Sequence, residues 1–166
     1  MRWCVLSLSL LLTGPPALAA SDSAQTWVEI DRAIWQPFVR GVSTFNHELY
    51  GAVRAKDSIF VDGKRFFGYD AYIEDAVRVM TPLQRAGTRI EMQVRFEDRT
   101  TDGSYASERG VLQTIITDAR GERRVGHARS HVISRKQPDG WRIVTDYRWR
   151  TTPEADAKAF EEARAQ

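Results

Sequence analysis

The second half of the chain consists of segments whose apolar residues follow the two-residue period of a β-strand. Within residues 89–97, charged or amide side chains alternate strictly with Ile90, Met92, Val94 and Phe96. Three further strands are predicted near residues 105–117, 123–135 and 141–149, separated by short glycine-containing turns. Strands joined by such short turns pair as antiparallel neighbours. The pattern therefore predicts a long antiparallel sheet with one buried face, which needs a second layer to cover it.

The first half of the chain supplies that layer, because its apolar pattern is helical. Trp27, Ile30, Ile34 and Phe38 lie three or four residues apart, as on one face of an amphipathic helix over residues 26–40. Pro37 is expected to kink or shorten this helix, since it removes one backbone donor. Helices followed by a run of strands predict an α+β fold with the helices on one sheet face.

The first 19 residues have the three-part pattern of a cleavable secretory signal peptide. Arg2 gives a positive start, residues 5–12 form an apolar run, and residues 17–19 are a small-x-small cleavage signal. The run is shorter than the roughly 20 residues that span a bilayer. The single cysteine, Cys4, also lies here. We therefore predict a periplasmic or secreted protein with no disulfide bond and no membrane segment after cleavage; an uncleaved anchor or a buried first helix is the alternative.

Charge and motifs exclude several classes of function. The chain has 24 basic and 22 acidic residues and no basic run, which excludes a nucleic-acid binder driven by phosphate contacts. No nucleophile elbow, phosphate loop or dinucleotide fingerprint is present, so no cofactor is expected. His127 and His131 would lie about 13 Å apart on a strand. His47-Glu48 lacks the second histidine of a zinc-protease helix, so no metal site is expected.

Short motifs spread over residues 27–149 point to one group of α+β proteins. They are the tryptophan-bearing first helix, Asp57-Ser58-Ile59-Phe60-Val61-Asp62-Gly63, Gly68-Tyr69-Asp70-Ala71-Tyr72, Ser107-Glu108-Arg109-Gly110-Val111 and Asp139-Gly140-Trp141-Arg142-Ile143-Val144-Thr145-Asp146. In order and spacing the chain resembles the nuclear transport factor 2-like superfamily, within it the SnoaL-like and ketosteroid-isomerase-like proteins of unassigned function. The resemblance implies a cystatin-like roll, in which a cone-shaped antiparallel or mixed sheet wraps the N-terminal helices and leaves a pocket. It places this domain at residues 20–150, between the signal peptide and a helical tail at residues 151–166.

Asp146 is the leading candidate for a functional side chain. It lies in the last strand among largely apolar neighbours, so burial is expected to raise its pKa toward the range of a general base, whereas a nearby arginine would lower it. Arg148 follows on the same strand face, and Arg109 comes from another strand of the sheet. Together these three side chains are suited to orienting a small anion or polarising a carbonyl. The alternative is a structural ion pair or a solvated outer face.

The tyrosines of the helical half are further candidates. Tyr50 and Tyr72 lie in the part that forms the other wall of the pocket in proteins of the resembling family. Ketosteroid isomerases hold an oxyanion with a tyrosine and a protonated aspartic acid and use a separate aspartate as base. Asp57 is a weak counterpart of that base, and the full set is not matched. The alternative for the tyrosines is that they anchor the core.

The register of the last hairpin decides which partner Asp146 meets. With a two-residue loop at Pro138-Asp139, His131 faces Asp146, which gives an Asp–His pair with a catalytic arrangement. With a three-residue loop ending at Gly140, His131 faces Tyr147 and Ser130 faces Arg148. Proline followed by Asp-Gly favours the second register.

Three hypotheses of function follow. The first is an exported protein that binds a small, partly polar molecule through Arg109, Asp146, Arg148, Tyr72 and Tyr50. The second is an isomerase, cyclase or lyase with Asp146 or Asp57 as general base and His131 or Tyr72 as proton donor. The third is a non-catalytic interaction module, with a pocket filled by its own side chains and a homodimer formed through the outer face of the sheet.

Overall fold

A computed structural model describes residues 18–165, which form five α-helices, one π-helical turn and seven strands. The helical elements are α1 (Leu18–Ile30), the π turn (Asp31–Trp35), α2 (Gln36–Ser43), α3 (His47–Ala52), α4 (Tyr69–Arg85) and α5 (Pro153–Glu162). The strands are β1 (Arg54–Asp62), β2 (Arg65–Gly68), β3 (Arg89–Thr101), β4 (Tyr105–Thr117), β5 (Arg123–Gln137), β6 (Gly140–Trp149) and β7 (Arg164–Ala165). Residues 1–17, which carry most of the predicted signal peptide, lie outside the described part. In that part, no helix is long and apolar enough to cross a membrane.

The strands form one mixed sheet in the order β2-β1-β6-β5-β4-β3-β7. Strands β3 to β6 pair antiparallel through their connecting turns, as the sequence predicts. The exception is β1, which lies parallel to β6 and antiparallel to β2. The fold is therefore the predicted α+β class, with N-terminal helices against a curved, open, mixed sheet.

The N-terminal helices form one continuous rod that covers the inner face of the sheet. Ile30, Ile34 and Phe38 are buried to 1% exposure or less, which confirms the predicted apolar stripe. The rod does not end at Pro37, because a π turn precedes the proline, which takes one of the first two positions of α2. A π turn changes the backbone hydrogen-bond pattern, so a missing donor is accommodated there.

The β5–β6 hairpin combines features of both predicted registers. Gln137 pairs with Gly140, so the loop is the two-residue Pro138-Asp139. Nevertheless His131 faces Tyr147, as expected only for the longer loop. The register shifts between Ile133 and Ser134, where β6 carries one extra residue at Val144. A bulge of this kind moves every later pair by one residue.

This register assigns the side chains of the sheet to two faces. The pairs join one row of residues across five strands on the inner face: Phe60, Asp146, Val132, Glu108 and Arg99. The next row contains Arg109, His131 and Tyr147 and faces outward, because adjacent residues of a strand point to opposite faces.

The C-terminal tail docks on the outer face. Thr152 caps α5 by accepting a hydrogen bond from the Ala155 amide, and Phe160 is 1% exposed against Val111 of β4. The carboxylate of Asp156 accepts hydrogen bonds from Thr151 and from Arg129 of β5. The tail therefore covers β4 and β5, and among the described residues it leaves the outer side of β1, β2 and β6 open.

Candidate functional site

Asp146 lies at the centre of a buried cluster that we call the Asp146 cluster: Tyr50, Arg54, Tyr72, Asp146 and Arg148. The side chain of Asp146 has no exposed surface, and both of its oxygens accept hydrogen bonds. Arg148 donates from Nε to Oδ1 at 3.1 Å and from Nη2 to Oδ2 at 2.8 Å. Arg54, from the start of β1, donates from Nη2 to Oδ2 at 2.6 Å. One carboxylate therefore holds two guanidinium groups.

The two tyrosines complete the cluster from the helical side. Arg54 Nη2 also lies 2.9 Å from the Tyr72 hydroxyl, and its guanidinium carbon is 4.1 Å from the centre of the Tyr72 ring. The hydroxyl groups of Tyr72 and Tyr50 are hydrogen-bonded to each other, and their rings stack at 5.3 Å. Tyr72 comes from the buried face of α4 and Tyr50 from α3. Both helices therefore position a hydroxyl beside the arginines.

Electrostatics keep the cluster charged. Burial alone would raise the pKa of Asp146, but Arg148 and Arg54 outweigh burial and lower it below its usual value. Burial disfavours the charged forms of both arginines, yet the pKa of each is raised, with Asp146 among the causes. Burial raises the pKa of Tyr50 well above its usual value, so Tyr50 stays neutral. The cluster therefore carries one negative charge and two positive charges.

Arg54 retains hydrogen-bonding capacity that the described residues do not use. The residue is 4% exposed, and its Nε and Nη1 atoms are buried without a hydrogen-bond partner in the described part of the chain. Arg148 is the only arginine of the cluster that reaches solvent, with 14% of its side chain exposed. The cluster thus has free donors on Arg54 in its interior, and solvent contacts it at Arg148.

The structure brings together four of the five residues predicted to bind a ligand. Tyr50, Tyr72, Asp146 and Arg148 share the Asp146 cluster. Arg109 instead lies exposed on the outer face, 3.8 Å from Asp98. Tyr50, Tyr72 and Arg148 therefore share one hydrogen-bonded network with Asp146, and Arg109 lies outside it.

Two other catalytic candidates, the proton donor His131 and the alternative base Asp57, lie outside the cluster. His131 is on the outer face, where its Nε2 lies 2.8 Å from the Ser107 hydroxyl. Asp57 is exposed and paired with Arg135 at 3.0 Å. The Asp146–His131 pair is therefore not formed, because the bulge at Val144 leaves the two side chains on opposite faces.

A second buried carboxylate, Glu108, was missed by the sequence analysis. Its Oε1 accepts a hydrogen bond from Trp35 Nε1 at 3.0 Å and lies 2.7 Å from Arg99 Nη2. Arg99 also binds Asp31 at 2.6 Å, so one guanidinium is shared by two carboxylates. Burial raises the pKa of Glu108 against the opposing effect of Arg99. Its Oε2 has no partner among the described residues.

The inside of the cone is occupied by the protein's own side chains. Large aromatic residues with 7% exposure or less fill it: Trp35, Phe38, Tyr50, Phe60, Tyr72 and Trp141. Two clefts of the described part lie along β3, away from Asp146. No group of three or more metal-ligating side chains occurs among the described residues.

Comparisons with known proteins identify the fold. No protein-family model matches the sequence, and no curated protein is similar enough in sequence to match. Solved structures do match. An NTF2-like protein with a cystatin-like fold from Novosphingobium aromaticivorans is 17% identical, over 86% of this chain and 93% of that chain, with a TM-score of 0.69.

Two further structures agree. A ketosteroid isomerase-like protein from Erwinia carotovora is 16% identical, over 76% of this chain and 96% of that chain, with a TM-score of 0.59. An NTF2-like superfamily protein from Salmonella enterica is 14% identical, over 76% and 91% of the two chains, with the same TM-score of 0.59. Order of elements, sheet topology and these likenesses agree: the protein has a cystatin-like fold, the fold of these NTF2-like structures.

Proposed function

We propose that the protein is an exported binding protein that holds a small, partly polar molecule, with a carboxylate or a carbonyl group, at Arg54 and Arg148. The observation that carries this proposal is the pair of buried, unpartnered donors on Arg54. A buried polar atom without a partner costs about 1–3 kcal/mol, and more when the group is charged. An acceptor supplied by a ligand removes this cost.

The charge of the cluster favours an anion. Two guanidinium groups and one carboxylate leave one positive charge in a site whose centre has no exposed surface. A buried charge without a counter-charge is strongly disfavoured, so binding of a negative or strongly dipolar group is stabilising there. The free Nε and Nη1 atoms of Arg54 lie on different edges of its guanidinium, so each can donate to a separate acceptor atom of a ligand.

Export is supported by the sequence of the first 19 residues, whose pattern is that of a cleavable signal peptide. A binding protein outside the cytoplasm meets small molecules directly. The stacked tyrosines place hydroxyl groups next to the arginines, which adds polar groups for a partly polar ligand.

The residues named in the enzyme hypothesis do not form a suitable pair of base and donor. A general base needs a pKa near the working pH, but the arginines lower that of Asp146. His131 lies on the other face of the sheet, and the Tyr72 hydroxyl is held by Arg54 and Tyr50. These contacts favour a binding role over proton transfer.

Thermal unfolding in the presence of small probes tests the proposal. We expect sodium acetate or sodium benzoate to raise the Tm above its value in sodium chloride at equal ionic strength, and cyclohexanone to raise it above its value without the ketone. A ligand at 100 times its Kd stabilises by about 2.7 kcal/mol. Arg54→Met should abolish the response, whereas the exposed-surface variant Arg65→Met should keep it, since the Arg65 side chain is 55% exposed. An absent response, or one that survives Arg54→Met, would refute the proposal.

A second candidate function, an assembly module, is favoured by the filled interior and by an apolar strip on the open part of the outer face. Phe66 and Tyr147 are 68% and 43% exposed, and both flank Val61 in the register. Exposed apolar rows of this kind suit a homodimer through the sheet. Light scattering would show a dimer that Tyr147→Glu dissociates; a monomer would exclude this candidate.

A further inference from the structure

A groove runs along the free edge of β3, between this strand and the N-terminal helical rod; we call it the β3 groove. It consists of two clefts. The larger, of about 550 Å³, lies between α2 and residues 92–95. The smaller, of about 380 Å³, lies between Trp27 and residues 96–99. Ala165 lines both clefts, so β7 crosses the groove between them.

The contact of β7 shows which chain geometry the groove accepts. Ala165 pairs with Arg95 and Arg164 with Phe96, antiparallel to β3. Elsewhere along this edge, β3 has no strand partner in the described part of the chain. An unpaired edge is a template for an added strand. A strand that continued the register of β7 would pass Val94, Gln93 and Met92 in the larger cleft.

The larger cleft offers an apolar floor and a basic rim. Val94 is buried, and Met92 and Val39 are half-buried, so alternate side chains of an added strand would meet apolar surface. Arg40 is exposed on the rim and has no ion-pair partner among the described residues. Arg95 is already engaged by the ring and carbonyl of Phe160. Arg40 is therefore the cation available to an incoming acidic group.

We propose that the β3 groove binds an extended peptide segment of a partner protein, antiparallel to β3, with apolar side chains at alternate positions and an acidic side chain at Arg40. Main-chain hydrogen bonds to the strand edge give affinity, while the floor and Arg40 give sequence preference. The groove lies at the opposite end of the sheet from β1, so this site does not depend on ligand binding at Arg54.

Selection from a phage library of random 12-residue peptides tests this site on the purified full protein. We expect enrichment of peptides that alternate apolar and polar residues and contain Asp or Glu. Binding of a labelled enriched peptide, followed by fluorescence anisotropy, should weaken about tenfold or more in Arg40→Glu, because attraction becomes repulsion. Arg32→Glu is the matched control, since Arg32 is exposed on the same rod and lines neither cleft.

Three results would overturn the proposal. The first is a library without enrichment over an unrelated protein. The second is enriched peptides that bind wild type and Arg40→Glu equally. The third is light scattering that shows a dimer of wild type which Arg40→Glu dissociates, since a second copy would then occupy the groove.

Discussion

Asp146 and Glu108 lie on the same inner row of the sheet, separated by Val132, and both side chains have no exposed surface. Their surroundings differ in the ratio of charges. Asp146 has two guanidinium groups to itself, whereas Glu108 shares the single guanidinium of Arg99 with Asp31. The pKa of Asp146 is accordingly lowered and that of Glu108 raised, although burial opposes the charge of both.

The comparison teaches that burial alone does not decide what a carboxylate can do. At Asp146 the surplus charge is positive and the free hydrogen-bonding atoms are donors on Arg54. At Glu108 the surplus is negative and the free atom is an acceptor, Oε2. The first region is suited to an anionic or carbonyl ligand, and the second to holding a proton.

The largest expected effect is that of Asp146→Asn. Loss of this carboxylate leaves Arg54 and Arg148 buried without a counter-charge, and breaking a buried pair in this way costs about 3–5 kcal/mol. Urea unfolding measures the change in the free energy of unfolding. The control, Asp98→Asn, removes a carboxylate that is 55% exposed and should change little. A loss below about 1 kcal/mol for Asp146→Asn would mean that solvent neutralises the arginines. That result would contradict the surplus positive charge that we infer for the Asp146 cluster.

Glu108→Gln should cost much less, about 1 kcal/mol. The amide oxygen of glutamine still accepts from Trp35 and Arg99, and the buried charge, which is the unfavourable part, disappears. The same urea experiment applies. If Glu108→Gln destabilises as strongly as Asp146→Asn, the two regions do not differ as we infer.

Sequence patterns predicted one of these regions far better than the other. Asp146 and Arg148 are two apart on one strand, so their common face follows from the strand period. Arg54 was missed because it reaches Asp146 through the parallel β1–β6 pairing, whose register shifts between Arg54 and Ile59. Such long-range pairing leaves no periodic signal in the segment before β1.

The sequence prediction placed Arg109 in the site and missed its neighbour Glu108, because β4 is apolar on both faces. Val111 packs under α5 on the outer face, and Leu112 packs in the core on the inner face. Without knowledge that the tail helix docks there, the strand gives no sign of which face is inner. The strand bounds and the sheet order of β3 to β6 were predictable, since local turns specify them.

A smaller effect is the dependence of stability on pH. In the folded state the pKa of Glu108 is raised, so stability falls as pH rises from the unfolded value of about 4.3 through the folded pKa. Asp146 has the opposite sign: its contribution is full above about pH 3.9 and is lost as pH falls through the lowered folded pKa. Urea unfolding between pH 4.5 and 7.5 should show that the free energy of unfolding of wild type rises relative to that of Glu108→Gln as the pH falls. A difference that does not change with pH would contradict the raised pKa.

The smallest expected effect is the coupling between the two regions, measured with the double variant Asp146→Asn/Glu108→Gln. The carboxylates lie two strands apart, about 10 Å, and share no partner among the described residues. At about pH 4.5, where the raised pKa favours the protonated form of Glu108, the two losses should add within about 0.5 kcal/mol. An ionised Glu108 would instead stabilise the unneutralised arginines of Asp146→Asn, by up to about 1.7 kcal/mol at an effective dielectric constant of 20. The coupling should therefore be absent at low pH and grow as the pH rises. This result would show that protonation of Glu108 removes the electrostatic interaction between the two regions. Coupling above about 1 kcal/mol at pH 4.5 would show that Glu108 is charged there and that both regions form one electrostatic unit.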